Sequence, residues 1–187
     1  ADNLSAMVEK VTSGATSALG RIKISGYDSS HLTSMVEKVT AGATSSLGKI
    51  KMDGYDAGDL SGMLEKVTAG ATAALGNIKM DGFSADNLSS MVEKVTSGAT
   101  AALSRIQMNG FSSDNLTSMI ENVKTGAKGS LGKIKMKGYN PNNKPDGLEN
   151  SVNTGASKGL DKQPPMLKEI TAVKTPTSET TPSYVFS

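Results

Sequence analysis

The chain has no cysteine and no tryptophan, a single histidine and only seven aromatic residues in 187. Without cysteine there is no disulfide, thiolate nucleophile, zinc–thiolate site or iron–sulfur cluster, and the redox compartment is left open. With one histidine, His31, and no cysteine, the sequence is read as offering no Ser–His or Cys–His constellation. A formal charge of +2 gives no basic footprint for nucleic acid. No apolar run approaches the ~18–20 residues needed to cross a bilayer. Proline is absent before residue 141, where all six prolines begin. The opening Ala1-Asp2-Asn3-Leu4 has neither an initiator methionine nor a signal-peptide layout, as expected of a processed or trimmed form.

What the chain has is a period. Met7, Met35, Met63, Met91 and Met119 are each 28 residues apart, and so are Leu4, Leu32, Leu60, Leu88 and Leu116. Val11, Gly14, Leu19 and Ile22 start further series with the same spacing. Gly26, Gly54, Gly82, Gly110 and Gly138 each precede an aromatic residue. Nine of the ten methionines and five of the seven aromatics hold fixed repeat positions, which marks them as core filler and not as a cofactor box. A worn sixth copy runs through Leu148–Ala156, with one residue inserted. The expected organisation is five repeats over residues 1–140, a degenerate capping repeat over 141–162 and a Pro/Thr/Ser-rich extended tail over 163–187.

At 100° per residue, Leu4, Met7, Val8, Val11, Ala15, Ala18, Leu19 and Ile22 fall in an arc of about 120°, the stripe of a core-facing helix. Asp28, Asp56, Ser84 and Ser112 stand where an N-cap is needed. A helix from 29 to about 50 is roughly 33 Å long. The ~17 Å reach of Lys51–Tyr55 then forces the next helix to run antiparallel. These features predict an all-α tandem repeat solenoid with one long helix per repeat. The alternative is a single-sheet α/β solenoid, in which Gly20, Gly48, Gly76 and Gly132 stop the helices early and the Ile-Lys-Met runs return as short strands. The recurrent mid-helix Gly-Ala pair costs about 1 kcal/mol per glycine, which implies close helix contacts that offset it.

Candidate chemistry is sparse. His31 reads as a surface residue of a helix start, and Asp53, Asp56 and Asp59 read as turn and cap residues because an EF-hand's alternating ligands and closing Glu are missing. Glu9, Glu37, Glu65, Glu93 and Glu121 read as solvated residues beside the apolar stripe. The expectation is a protein that is not an enzyme, with no catalytic, cofactor-binding or metal residues. Two features suggest interaction surface. Thr12, Thr40, Thr68 and Thr96 pair at i,i+4 with Thr16, Thr44, Thr72 and Thr100, and stacking would align them as two hydroxyl columns. The tail ends in Tyr184-Val185-Phe186, whose Tyr184 and Phe186 suit anchoring on a neighbouring chain. A basic bias also builds up late in the chain: residues 119–163 hold eight lysines against four acidic residues.

The unit Met-Val-Glu-Lys-Val-Thr-Ser-Gly-Ala-Thr-Ser-Ala-Leu-Gly resembles the tandem repeats of poorly characterised secreted or surface-attached bacterial proteins. The resemblance covers about residues 1–140 and is one of repeat style. It implies a bacterial, extracytoplasmic protein: secreted, periplasmic or on the cell surface. The leading expectation is a structural repeat protein, a scaffold or accessory subunit contacting other protein chains of an assembly or copies of itself. The competing one is a binding module of adhesin or ice-binding type that uses the threonine columns.

Overall fold

A computed structural model describes residues 2–51, 53–80, 82–106, 113–140 and 146–163. It contains six α-helices: α1 (Asp2–Leu19), α2 (Ser29–Leu47), α3 (Ala57–Ala74), α4 (Leu88–Ala102), α5 (Ser113–Ser130) and α6 (Asp146–Asp161). There is no β-strand among the described residues, whose architecture is all-α. Tyr184 and Phe186, with Ser112 and most of the expected tail, lie outside the described residues.

The helix starts follow the capping residues. The carboxylate of Asp28 accepts from the backbone N–H groups of Ser30 and His31, and that of Asp56 from Gly58 and Asp59. Ser84 caps a short 3₁₀ turn, Ala85–Asn87, that leads into α4. Each cap satisfies N–H groups that the first helical turn leaves without a partner.

The helix ends differ from the expectation. The helices stop at Leu19, Leu47, Ala74, Ala102 and Ser130, three or four residues before the isoleucine that shares their phase. After α3, α4 and α5 a 3₁₀ turn follows: Leu75–Asn77, Leu103–Arg105 and Leu131–Lys133. The isoleucine then leaves in extended conformation, with φ −71° and ψ 119° at Ile78. The helices thus end early, as the α/β alternative supposed, with or without the glycine (α4 ends at Ala102 although Ser104 takes that position), but no strand forms among the described residues of the Ile-Lys-Met runs. The turn to the next helix is made at Gly26, Gly54, Gly82 and Gly138, all at φ between +78° and +85°, where a side chain would be strained.

The helices pack in two rows, α1–α3–α5 and α2–α4–α6, and each helix is most extensively in contact with the one two places along the chain. One apolar cluster joins the C-terminal halves of the odd helices (Leu19, Leu75, Leu131) to the N-terminal halves of the even ones (Leu32, Leu88, Leu148). The other joins Leu60, Leu64 and Ile120 to Leu47, Leu103 and Ala156. Consecutive helices are therefore antiparallel and helices within a row are parallel.

Within a row the helices meet at the mid-helix glycines. A Cβ on Gly70 would sit 2.5 Å from the carbonyl oxygen of Glu9, and Gly98, Gly126 and Gly155 press in the same way on Glu37, Glu65 and Glu93. Gly14 and Gly42, at the same repeat position in α1 and α2, have nothing within 4 Å. One repeat position thus supports two opposite outcomes. Gly14→Ala should raise stability by up to about 1 kcal/mol through helix propensity alone. Gly70→Ala should lower it by about 1–3 kcal/mol through overpacking against the Glu9 carbonyl. Urea denaturation of both variants checks the sign, and destabilisation by Gly14→Ala would contradict the assignment.

Candidate interaction surfaces

The threonine columns exist, but they are not displayed. Thr12 is 2% exposed, and Thr16, Thr40, Thr44, Thr68, Thr72, Thr96 and Thr100 are fully buried. Thr40, Thr68, Thr96 and Thr100 line the seams between helices of one row, where the hydroxyl of Thr40 lies 2.9 Å from the position a Cβ on Gly98 would take. This corrects the expectation of an accessible hydroxyl array, and with it the basis for an adhesin or ice-binding reading. A helix packed against a row neighbour as well as the other row buries a wider arc than its apolar stripe marks out, so even α1 and α2, with one row neighbour each, hide their threonines.

The two columns differ in how their hydroxyls are satisfied. Thr12, Thr40, Thr68 and Thr96 donate to the carbonyl four residues earlier in their own helix, at 2.6–3.1 Å. This local bond lets a hydroxyl be buried without a partner on the neighbouring helix. The hydroxyls of Thr16, Thr44, Thr72 and Thr100 are buried with no protein partner. A buried unpaired hydroxyl costs about 1–3 kcal/mol, whereas an apolar group of the same shape does not. Thr72→Val is therefore expected to be neutral or stabilising in thermal denaturation, and a loss of more than about 1 kcal/mol would reveal a bond to this hydroxyl.

The glutamates beside the stripe are not uniformly solvated. Glu37 is 19% exposed and receives Lys94 at 3.2 Å, Ser97 at 2.9 Å and Lys162. Its three partners come from α4 and from the residue just after α6, so one carboxylate ties the even row together end to end. Burial alone would push the Glu37 carboxyl up, but hydrogen bonds from Lys162, Ser97 and Lys94 outweigh it and hold the group below its ordinary 4.5. Glu93 receives Lys158 at 2.7 Å, and Glu9 faces Lys66 at 4.0 Å with both side chains well exposed. The last pair contributes less than about 1 kcal/mol. A Glu with a lysine one position on is visible in the sequence; that this lysine pairs with a Glu two repeats earlier becomes visible only once the rows are known.

The other polar residues that the sequence singles out take structural roles. Asp56 and Asp59 form a reciprocal capping box at the start of α3. His31 is exposed at the start of α2, with Nδ1 2.8 Å from Asp28. Tyr55 is pushed up to about 12, by burial and then by the charge of Asp59, and stays neutral at ordinary pH. Among the described residues no three His, Cys, Asp or Glu side chains converge as a metal site would require. No helix among them is long and apolar enough to cross a membrane. No protein-family model, curated protein or solved structure matches the chain.

The Glu37 network makes a pH-dependent contribution. Its folded-state pKa lies below the unfolded one, so its stabilisation is complete above the ordinary value of 4.5 and is lost as pH falls through the lower folded value. Glu37→Gln should be less stable than the parent at pH 7, and the gap should narrow on acidification below 4.5. Urea midpoints of the two proteins measured across that range check it; a gap that stays constant would remove Glu37 from the acid response.

Proposed function

We propose that the chain is a non-enzymatic structural repeat protein, a tandem 28-residue solenoid serving as a scaffold or accessory subunit of an extracytoplasmic or cell-surface assembly. The observation that carries this reading is the recurrence of one contact: glycine against a glutamate carbonyl two repeats back, four times in succession at Gly70, Gly98, Gly126 and Gly155. An array built from one repeated step grows by addition, and its stability is a sum of repeat and neighbour terms. Such a chain spends its buried polar groups on stacking and serves by spacing and presenting surface. The repeat style supports a bacterial, secreted or surface location, and the partners proposed are other protein chains. Tyr184 and Phe186 are the proposed tethers to them.

Removing residues 57–112, two full periods, joins Asp56 to Ser113 in register. The shortened protein should still fold cooperatively, with a lower Tm and a smaller denaturant m-value. Failure to fold would mean one indivisible core. Independently, deleting residues 164–187 should leave the Tm unchanged and reduce co-purification of partner chains from the native source by about tenfold, equivalent to ~1.4 kcal/mol of binding. Unchanged recovery would exclude the tail as tether.

A further inference from the structure

Both rows carry the same pattern of polar groups along their seams, and they fill it differently. Gly126 on α5 and Gly155 on α6 hold equivalent places, each against a glutamate carbonyl and a threonine hydroxyl of its row neighbour. Counting on from them pairs Gly129 with Lys158 and Lys133 with Lys162. On the earlier helices, Glu9, Glu65, Lys66 and Ala69 stand one period before Glu37, Glu93, Lys94 and Ser97.

In the even row three ammonium groups surround two carboxylates. Lys158 reaches Glu93 at 2.7 Å and Lys94 reaches Glu37 at 3.2 Å, while Lys162 donates to Glu37 and, at 3.3 Å, to the Ser97 hydroxyl. In the odd row one of the three is missing. Glycine stands at position 129 in place of Lys158, and a Cβ built there would meet nothing within 4 Å. Glu65, the counterpart of Glu93, forms no ion pair among the described residues. A polar pocket of about 120 Å³ is left at the α3–α5 seam, lined by Glu65, Lys66, Gly129, Ser130 and Lys133 together with Glu9 of α1. Ser130 is 1% exposed, and its hydroxyl makes no hydrogen bond among the described residues. The pocket is a feature of a seam inside the row and not of either end of the array.

We propose that this pocket binds a primary ammonium group on an unbranched alkyl stem, the chemistry of a lysine side chain, with Glu65 as counter-charge and the Ser130 hydroxyl as a further acceptor. The even row supplies the precedent within the same molecule, since the Lys158 stem delivers its ammonium to the equivalent carboxylate there. An ammonium has three donors and no acceptor, so a carboxylate beside a buried hydroxyl suits it. The bare Gly129 leaves room for the stem. A third ammonium beside two carboxylates reproduces the charge balance that the even row already holds. What is named is the group bound and not the chain that brings it: Lys168 or Lys174 of this chain and a lysine of another chain offer the same group. The proposal rests on the pocket and on the equivalence of the rows, and is independent of the scaffold reading.

The probe is Nα-acetyl-lysine methylamide, titrated into the full chain at constant ionic strength and followed by amide chemical shifts. It should move Glu65, Gly129 and Ser130 saturably, and the norleucine analogue, which lacks the ammonium, should bind about tenfold more weakly or worse. Glu65→Gln should weaken the lysine probe by about tenfold. Gly129→Lys, which restores the missing lysine, should abolish its binding while leaving the circular dichroism of the fold unchanged. The same titration of the full chain carrying Lys168→Gln with Lys174→Gln separates the sources: a response that appears only in this variant means that the chain's own lysine fills the pocket, which upholds the ligand chemistry. No saturable response in either chain overturns the proposal, as does equal binding of the norleucine analogue or binding undiminished by Gly129→Lys. Acetate binding at the same amides more tightly than the lysine probe, and lost in Lys66→Gln, would make the pocket an anion site and also overturn it.

Discussion

Helices in one row of this protein approach each other through a glycine Cα set against a backbone carbonyl, and the rest of the structure is arranged around that approach. Gly98 over Glu37 and Gly155 over Glu93 leave no room for even a methyl group. Because the backbones are that close, the residues flanking the seam must be small or self-satisfied. Alanines and threonines fill it, and the first threonine column turns its hydroxyl back to its own helix. Glycine inside a helix weakens it by about 1 kcal/mol. Dispersion attraction summed across a tightly packed seam offsets that cost.

The same approach explains why contact skips a repeat. Adjacent helices belong to opposite rows and meet through leucines and isoleucines in two apolar clusters. Parallel helices two repeats apart meet through the small-residue seam. Each helix therefore carries two distinct faces, a broad apolar one toward the other row and narrow ones toward its own. The Ile-Lys connector follows the same logic: a Cβ on Gly20 would meet the backbone of Ile78 and Lys79 at 2.8–2.9 Å, so connectors also stack within a row.

Much of this is legible in the residues. The 28-residue period, the helical phase, the caps at Asp28, Asp56 and Ser84, and the need for close packing at the mid-helix glycines all follow from local chemistry. The helix ends are less legible because Ile22 shares the phase of the helix without belonging to it; an isoleucine in extended backbone turned back onto the core satisfies the same pattern. The threonines mislead for a different reason. Their exposure depends on which side of the helix its row neighbour packs, which is a property of the stack. The signal that could have found them is the Gly-Ala-Thr grouping itself, since small residues on both sides of a threonine already imply a close surface opposite it. The Glu37 partnership with Lys162, 125 residues apart, belongs wholly to tertiary structure.

A series of near-identical steps has no origin of its own: sliding one half of the array along the other by two units would re-form almost every seam. The worn sixth helix breaks that degeneracy. Its Lys162 and Lys158 find Glu37 and Glu93, and Gln163 donates to the carbonyl of Thr100 at 2.6 Å, a set of contacts no other helix can reproduce. The irregular copy thus acts as the index mark of the array. Replacing it with a consensus repeat would keep the glycine seam, yet remove these contacts and leave the chain with several registers of nearly equal energy.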